Sequence, residues 1–359
     1  MTHPPPVCDT ELLVTLWPSF PHFPRFATDP RLSGIRLNSA MIGVPDLKKE
    51  FALLEEYRPT VPLYFDIKGK QLRIQEVNLL KSKSGMPDLE LVLNHPIAVE
   101  TPSLVLFKAG SDSASLRELR DGGKRLVFDG GPRYMVAPGE SLCVRHPSLE
   151  VLGPTFTDVE LEKIRLVKEF GFTRWFLSYV ESQREVDEFL ELVGKDTEVW
   201  LKIENLPGLR YVSEEFVKRP NLTLVMARGD LYVEVDRPHD ILGAHRLLIE
   251  KDPEACAASR ILLSAMGNAN LTVNNIRGLA KSARKGQVDA ARIIALIEEG
   301  ERDPTPSCAD FSELAWLADI GYRRVMLCDE LCLKGKLLGR AVNAFGQFRD
   351  AYRGIGEPS

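Results

Sequence analysis

The sequence lacks several features that would assign it to common protein classes. Its six cysteines include no Cys-x-x-Cys pair, which argues against a zinc site or a disulfide framework and favours reduced thiols in the cytoplasm. No apolar run approaches the roughly 20 residues that cross a bilayer. The polar, proline-rich start shows no secretory signal pattern, so we expect a cytoplasmic protein with no membrane partner.

An excess of positive charge is also absent. The 359 residues contain 46 lysines and arginines against 51 aspartates and glutamates, for a formal net charge of −5. This balance argues against a nucleic-acid partner, because such proteins need basic surfaces. Hydrophobic residues make up 44% of the chain, which is enough for one large core and an accessory domain.

The sequence does contain a regular alternation of short apolar strands with helical segments such as 158–171 and 182–194. Apolar residues in the strands are consecutive, as expected of parallel strands covered on both faces. This alternation predicts an α/β fold with a closed (β/α)8 TIM barrel; a doubly wound open sheet is the alternative, although no Gly-x-Gly-x-x-Gly follows the first strand. The eight predicted strands lie at residues 11–17, 34–39, 62–69, 174–180, 198–204, 222–229, 260–266 and 323–330.

The alternation is interrupted twice. Residues 73–154 carry short strand-like runs separated by Gly, Pro and Ser, which predicts a small β domain inserted after the third strand. Residues 267–303 add a helical insertion before the last strand. The barrel is therefore expected to comprise residues 1–72 and 155–359.

Polar side chains gather at the predicted carboxyl ends of the strands, where a barrel of this kind carries its chemistry. Lys202 and Glu204 lie two residues apart at the end of strand five, so their side chains should point the same way. Arg228 and Asp230 end strand six with the same spacing. Other strands contribute Arg36, Asn38, Asp66, Lys68, Asp329 and Glu330.

Two of these side chains predict a metal site. Glu204 and Asp230 place carboxylates on neighbouring strands, and such a pair suits Mg²⁺ (or Mn²⁺), which keeps waters and accepts substrate oxygens. Lys202 adds a cation where negative charge would develop. For each charge taken singly, a structural ion pair in the barrel mouth is the alternative.

Five segments resemble the pyruvate kinase family. "WLKIENLPGL" (200–209) and "VMARGDLYVEV" (225–235) are similar to two of its signature segments. "GIRLNSA" (34–40), "YFDIKGKQLRI" (64–74) and "PSCADFSELAWLADIGYRRVMLCDELC" (306–332) are similar to others in the same order. The resemblance implies a pyruvate kinase-type barrel, with the inserted β domain in the place of that family's mobile lid.

The resemblance also implies roles for single residues. Lys202 would lie beside the transferred phosphoryl group and the enolate oxygen, and backbone N–H groups near Gly229 would receive the substrate carboxylate. The implied catalytic residues are Lys202, Arg36 and Arg228; the substrate- or phosphate-binding residues are Gly229, Asp230, Arg73, Ser264 and Lys68; the metal ligands are Glu204 and Asp230; the potassium region is Asn38, Asp66 and Ile67.

The sequence departs from the family pattern near the potassium region. Ala40 and Met41 replace a serine and a histidine, while Lys70 and Gln71 replace a Pro-Glu pair. We therefore expect a weak or absent requirement for K⁺, with Lys70 as a fixed cation in its place.

Other departures lie further along the chain. Glu181 replaces an arginine and should repel phosphate, and Ala265, beside Ser264, falls where the family has a threonine. The lid lysine on the nucleotide side is not identifiable. The family's C-terminal regulatory domain has no counterpart, which predicts that the usual tetramer does not form and leaves a homodimer open.

The sequence leaves three functions open. The first is a divergent pyruvate kinase-like phosphotransferase that moves a phosphoryl group between an enol phosphate, such as phosphoenolpyruvate, and ADP or ATP with Mg²⁺. The alternative is a Mg²⁺-dependent enolate-forming lyase or decarboxylase acting on a 2-oxoacid without nucleotide. A non-catalytic barrel scaffold is the third, and the retention of Lys202, Glu204 and Asp230 counts against it.

Overall fold

The computed structural model describes residues 8–80, 88–235, 239–266 and 306–353, with positions 237, 281–284, 286, 289, 291 and 294. The predicted insertion at 267–303 therefore lies almost wholly outside the described residues. In the described part of the chain, none of the helices is long and apolar enough to cross a membrane.

The strands and helices follow each other in the order expected of a barrel with an inserted sheet. The strands are β1 (Glu11–Thr15), β2 (Gly34–Asn38), β3 (Leu63–Ile67), β4 (Ile74–Leu80), β5 (Asp88–Leu93), β6 (Ile97–Ala98), β7 (Ser103–Phe107), β8 (Asp112–Arg120), β9 (Arg125–Phe128), β10 (Leu142–Arg145), β11 (Glu150–Val151), β12 (Arg174–Leu177), β13 (Glu198–Ile203), β14 (Leu222–Ala227), β15 (Cys256–Ala258) and β16 (Arg324–Met326). The helices are α1 (Phe23–Phe26), α2 (Val44–Tyr57), α3 (Asp158–Glu169), α4 (Gln183–Val193), α5 (Leu206–Glu214), α6 (Arg228–Glu234), α7 (Asp240–Lys251), α8 (Cys308–Asp319), α9 (Asp329–Cys332) and α10 (Gly335–Ala351).

Strands β1–β3 and β12–β16 close into a parallel barrel. Around it the order is β1, β16, β15, β14, β13, β12, β3, β2 and back to β1. The (β/α)8 TIM barrel predicted from the sequence is confirmed. Because all strands run the same way, their carboxyl ends meet at one end of the barrel, which we call the mouth.

The barrel interior is filled with side chains below the mouth. The rings of Tyr64, Phe176 and Trp200 lie with centroids 5.1–5.4 Å apart. The small side chains Cys256 and Ala258 belong to the same buried cluster. This layer makes the barrel a packed core rather than a pore, so chemistry is confined to the mouth above it.

A second sheet occupies the chain between β3 and α3. Its six strands pair antiparallel in the order β10, β7, β8, β9, β5, β4, and β6 pairs with β11. It has its own apolar core, which includes Leu91, Phe107 and Phe128. The thiol of Cys143 donates to Glu234 Oε1 on α6 at 2.7 Å, so this sheet, the lid, contacts the barrel mouth. The boundaries proposed for it at 73–154 stay a prediction.

Local signals explain where the helices begin. The side chain of Thr157 and that of Glu160 cap each other's backbone N–H groups at the start of α3, and Ser307 and Asp310 do the same for α8. Such reciprocal capping satisfies N–H groups that have no partner inside the helix. The predicted helix over 158–171 therefore begins as expected, although α3 ends at Glu169.

The seventh barrel strand is not where the sequence predicted it. Residues 260–266 were expected to form it, but the strand is β15, which pairs with β14 and β16. Ser259, Arg260 and Leu262 have φ values of +70°, +55° and +55°, which are incompatible with an extended strand. The apolar run that follows packs into the core instead, since Ile261 and Leu262 are fully buried.

Candidate functional site

The mouth holds a cavity of about 610 Å³, which we call the mouth cavity. Strand ends line it from below, and Lys108 and Ser141 line it from the lid. It brings together most of the residues predicted from the sequence. Those that line it are Arg36, Asn38, Lys68, Arg73, Lys202, Gly229, Asp230, Asp329 and Glu330.

One corner of the mouth is built around the fully buried carboxylate of Asp66. Arg36 Nε donates to its Oδ2 at 2.7 Å and Lys68 Nζ to the same atom at 2.6 Å, while Lys202 Nζ lies 3.7 Å away. The hydroxyl of Ser178 donates to Oδ1 at 2.9 Å. Although burial alone would raise the pKa of Asp66, the three cations hold it well below its usual range. Asp66 is therefore an anion whose partners are all in place.

A second cluster, adjoining the first through Lys202 and Ser178, contains Lys202, Glu204 and Asp230. The ammonium of Lys202 forms an ion pair with Glu204 Oε1 and donates to the hydroxyl of Ser178 at 2.9 Å. Glu204 is 0% exposed, and its oxygens have no partner of hydrogen-bonding geometry among the described residues. Burial, and then the charge of Asp230, raise the pKa of Glu204 to about 7 despite the nearby ammonium.

These residues fit a divalent cation. Buried carboxylate oxygens without hydrogen bonds are costly, and a cation between Glu204 and Asp230 would satisfy them. In the residues that the structure describes, no group of three or more His, Cys, Asp or Glu side chains is placed to hold a metal. A site with two carboxylates leaves the other positions for water and substrate oxygens, as Mg²⁺ commonly requires.

The potassium region of the resemblance is filled by protein contacts. Asn38 Oδ1 accepts from the backbone N–H of Ala40 at 3.2 Å, and the Ile67 carbonyl accepts from the Ser178 N–H at 2.9 Å. Asp66 Oδ1 already accepts the Ser178 hydroxyl. Each oxygen assigned to this region thus has a hydrogen-bond donor.

The lysine beside the potassium region is not the one that the sequence predicted. Lys70, expected as the fixed cation, forms an ion pair with Glu185 at 3.1 Å. The lysine beside Asp66 is Lys68, and burial lowers the pKa of its ammonium. Lys68, and not Lys70, therefore lies beside Asp66, and the charge of Asp66 favours its protonated form against the effect of burial.

Asp329 lies beside Arg36, which the resemblance implied as a catalytic residue. Its Oδ1 accepts from Arg36 Nη1 at 2.9 Å, and its Oδ2 accepts from Asn38 Nδ2 at 2.7 Å. Arg36 is thus paired with two carboxylates, those of Asp66 and Asp329. Arg73, by contrast, donates to neutral oxygens. Its Nε donates to Gln71 Oε1 at 2.9 Å and its Nη1 to the Gly139 carbonyl at 2.5 Å.

Arg228, predicted as catalytic, points away from the mouth cavity. The sequence was interpreted as a strand through residue 229, which would place Arg228 and Asp230 on one face. The chain instead enters helix α6 at Arg228, where side chains two residues apart differ by about 200° around the axis. Asp230 lines the mouth cavity, while Arg228 donates to Glu313 Oε1 on α8 at 2.6 Å.

Ser259 is a mouth residue that sequence reasoning missed. It follows β15, lines the mouth cavity, and its Oγ would lie 2.7 Å from a Cβ added to Gly229. Ser264, proposed in its place, has its hydroxyl hydrogen-bonded to Asp310 near the start of α8. Only the correct register of the seventh strand would have identified Ser259.

A second cavity of about 700 Å³ separates the lid from the barrel. Lys70, Tyr179, Glu181 and Glu234 are among its lining residues. Glu181, expected to repel phosphate in the mouth, lies here and accepts from Asn205 Nδ2 at 2.6 Å. Burial raises its pKa.

Comparison with known proteins finds relatives of one kind. A pyruvate kinase from Methanocaldococcus jannaschii is 28% identical over 235 residues, which cover 63% of this chain and 50% of the relative. A pyruvate kinase from Thermoplasma acidophilum is 27% identical over 306 residues, covering 81% and 54%. This chain spans about half the length of these curated relatives.

Solved structures give the same result for the fold. The crystal structure of pyruvate kinase from Pyrobaculum aerophilum superposes with a TM-score of 0.63 at 15% identity, covering 97% of this chain and 74% of the other. No family model matches the sequence.

Proposed function

Because this chain is a divergent member of the pyruvate kinase family, we propose that it is a divalent-metal-dependent phosphotransferase. It would move a phosphoryl group between an enol phosphate, such as phosphoenolpyruvate, and ADP or ATP. The observation that carries the proposal is the buried, partly unsatisfied carboxylate of Glu204, which pairs with Lys202 and feels the charge of Asp230. A scaffold has no need of these charges.

Glu204 and Asp230 would hold the metal, Mg²⁺ or Mn²⁺. When bound, such an ion polarises substrate oxygens and neutralises phosphate charge. The donor set supports this assignment, since both ligands are hard oxygens. Asp230 lines the mouth cavity, and its charge acts on the buried carboxyl of Glu204.

Lys202 would stabilise the charge that develops on the substrate. Lys202 is buried and its ammonium is held by Ser178 and Glu204, so it is already oriented before substrate arrives. Burial lowers the pKa of Lys202, but Asp66 and Glu204 raise it more, so the group stays a cation. A preorganised cation contributes most where negative charge grows in the transition state.

Arg73 would bind the phosphate. Its described contacts are neutral oxygens, so its positive charge is available to an incoming anion. A planar guanidinium suits phosphate geometry. The first turn of α6, with Gly229, would face the substrate carboxylate.

One observation favours a second candidate, a metal-dependent lyase or decarboxylase that forms the enolate of a 2-oxoacid without nucleotide. Asp329 pairs with both Arg36 and Asn38, and its carboxylate would repel a second phosphorylated substrate on that side. Under this candidate, Lys202 and the metal site keep their roles and the nucleotide is lost.

Two measurements test the proposal. Calorimetry with Mn²⁺ and oxalate, an enolate mimic, should show oxalate binding that depends on the metal and on Glu204. Phosphorus NMR of the full chain with Mg²⁺, phosphoenolpyruvate and ADP should then show ATP. Metal-dependent oxalate binding without ATP formation or nucleotide binding would favour the lyase, and absent oxalate binding would overturn both candidates.

A further inference from the structure

A third cavity of about 420 Å³ lies on the other side of helix α6 from the mouth; we call it the helix cavity. Three helices each present one face to it, with residues three or four apart, as helical side chains that share a face must be. Its lining includes Arg228 and Tyr232 from α6, Leu242 and His245 from α7, and Glu313 and Trp316 from α8.

Arg228 leaves one guanidinium nitrogen unused. The residue is 6% exposed; its Nε donates to the Ser259 carbonyl at 3.0 Å and its Nη1 to Glu313 at 2.6 Å. Its buried Nη2 has no hydrogen-bond partner among the described residues. A buried charged donor left unsatisfied is expensive, so this atom calls for an acceptor.

His245 lines the same cavity and carries a second unused nitrogen. It is 1% exposed, and its ring packs edge-on against Trp316 and Tyr322 with centroids 5.2 and 5.3 Å away. Within the part of the chain that the structure describes, its buried Nδ1 has no partner. Burial and the charge of Arg228 lower the pKa of His245 to about 3, so the ring is neutral at pH 7 and can donate one N–H.

The remaining walls define the rest of a ligand. Trp316 and Leu242 are apolar, and the guanidinium of Arg260 lies 5.1 Å from the centre of the Tyr232 ring, which adds positive charge to the cavity wall. Glu313 sits beside Arg228 and would repel a doubly charged anion. The volume falls within the range of small-molecule sites, roughly 300–1,000 Å³.

We propose that the helix cavity binds a small monoanionic carboxylic acid with an apolar body. The carboxylate accepts hydrogen bonds from Arg228 Nη2 and His245 Nδ1, and the apolar body packs against Trp316 and Leu242. Arg260 lines both this cavity and the mouth cavity, but Arg228 and Asp230 face different sides of α6, so the two proposed sites use different side chains. The proposal does not depend on the reaction at the mouth.

Calorimetric titration of the full chain with benzoate and with benzamide, its uncharged isostere, tests the proposal. Benzoate should bind at least about tenfold more tightly than benzamide, because only the anion satisfies the charged donor. Arg228→Met should lose this preference. Two matched variants should keep it: Lys202→Met, which removes a cation from the mouth, and Arg210→Met, which removes one from the lid–barrel cavity.

Two further variants keep the test informative if Arg228→Met does not fold. His245→Phe preserves the aromatic packing and removes the nitrogen, and it should weaken benzoate binding by about tenfold, roughly the value of one hydrogen bond to a charged group. Glu313→Gln should leave benzoate binding equal or tighter. The proposal is overturned if benzoate fails to bind up to about 10 mM, if benzamide binds equally well, if inorganic phosphate binds in its place, or if Lys202→Met abolishes binding.

Discussion

Asp66 and Glu204 are both fully buried at the barrel mouth, and Lys202 lies beside both. Asp66 is surrounded by Arg36, Lys68, Lys202 and a serine hydroxyl. Glu204 forms one ion pair, between its Oε1 and the ammonium of Lys202. Neither of its oxygens has a well-formed hydrogen bond from the described residues. The difference separates a charge that the fold has already neutralised from one that is balanced only when a further cation arrives.

Removing the Asp66 charge should have the largest effect on stability. Asp66→Asn leaves Arg36, Lys68 and Lys202 without their shared anion, and we expect a loss of about 3–5 kcal/mol in the free energy of unfolding. Glu204→Gln is the matched control and should change stability by less than about 1 kcal/mol, because few protein groups depend on its charge. Denaturant unfolding of both variants without metal measures this; equal losses would refute the distinction.

Lys202→Met should act on turnover rather than on folding. It keeps the bulk of the side chain and removes the charge that would meet the developing enolate or phosphoryl oxygen, so we expect turnover to fall by about a hundredfold or more. Metal binding should be kept or tightened, because a competing ammonium is gone. A melting curve and a single-turnover rate on one sample check this. Lost stability with unchanged activity per folded molecule would mean that Lys202 is only structural.

Glu204→Gln and Asp230→Asn should each weaken Mn²⁺ binding. A site with two carboxylates has little redundancy, so the loss should reach at least about tenfold, the scale seen even for groups that merely support a ligand. Electron paramagnetic resonance of free Mn²⁺ gives the affinity. Asp329→Asn is the control and should bind Mn²⁺ as the wild type does. Unchanged affinity in the two ligand variants would contradict the metal site.

Asp329→Asn should help to distinguish the phosphotransferase from the lyase. It removes the negative charge that pairs with Arg36 and Asn38, so ATP or phosphoenolpyruvate should bind about threefold to tenfold more tightly. Oxalate, held by Lys202 and the metal ligands, should be unaffected. Competition calorimetry with both ligands measures the effect. An equal gain in oxalate affinity would mean that Asp329 also affects the site formed by Lys202 and the metal ligands.

Potassium should have the smallest effect. The oxygens assigned to its region already accept hydrogen bonds, and Lys68 pairs with Asp66, so adding K⁺ to a K⁺- and Na⁺-free assay should change turnover by less than about twofold. Choline chloride controls for ionic strength. A many-fold activation specific to K⁺ would show that Asn38 and Asp66 release these contacts.

The sequence predicts the mouth well where strands are regular. Lys202 and Glu204 form an ion pair, as the two-residue period predicts, because β13 continues to Ile203, the residue before Glu204. The same reasoning misplaces Arg228, because α6 begins at that residue and the period changes from 2 to 3.6. No residue type marks this change, since "VMARGD" is compatible with either continuation.

The seventh strand shows a second limit. β15 consists of Cys256, Ala257 and Ala258, three small residues whose strand signal is weak. The following apolar run from Ile261 to Leu263 carries the stronger pattern, but backbone turns at Ser259 and Arg260 keep it out of the sheet. A run of hydrophobic side chains indicates that the residues are buried, but it does not show that their backbone is extended. Here Ile261 and Leu262 are buried without forming a strand.

The position of Trp316 has an optical consequence. The chain has four tryptophans, and Trp17, Trp175 and Trp200 are at most 2% exposed. Trp316 is only partly buried and forms a wall of the helix cavity. A neutral quencher such as acrylamide should therefore reach Trp316 first. The quenchable part of the intrinsic fluorescence should thus report on this cavity without any added label.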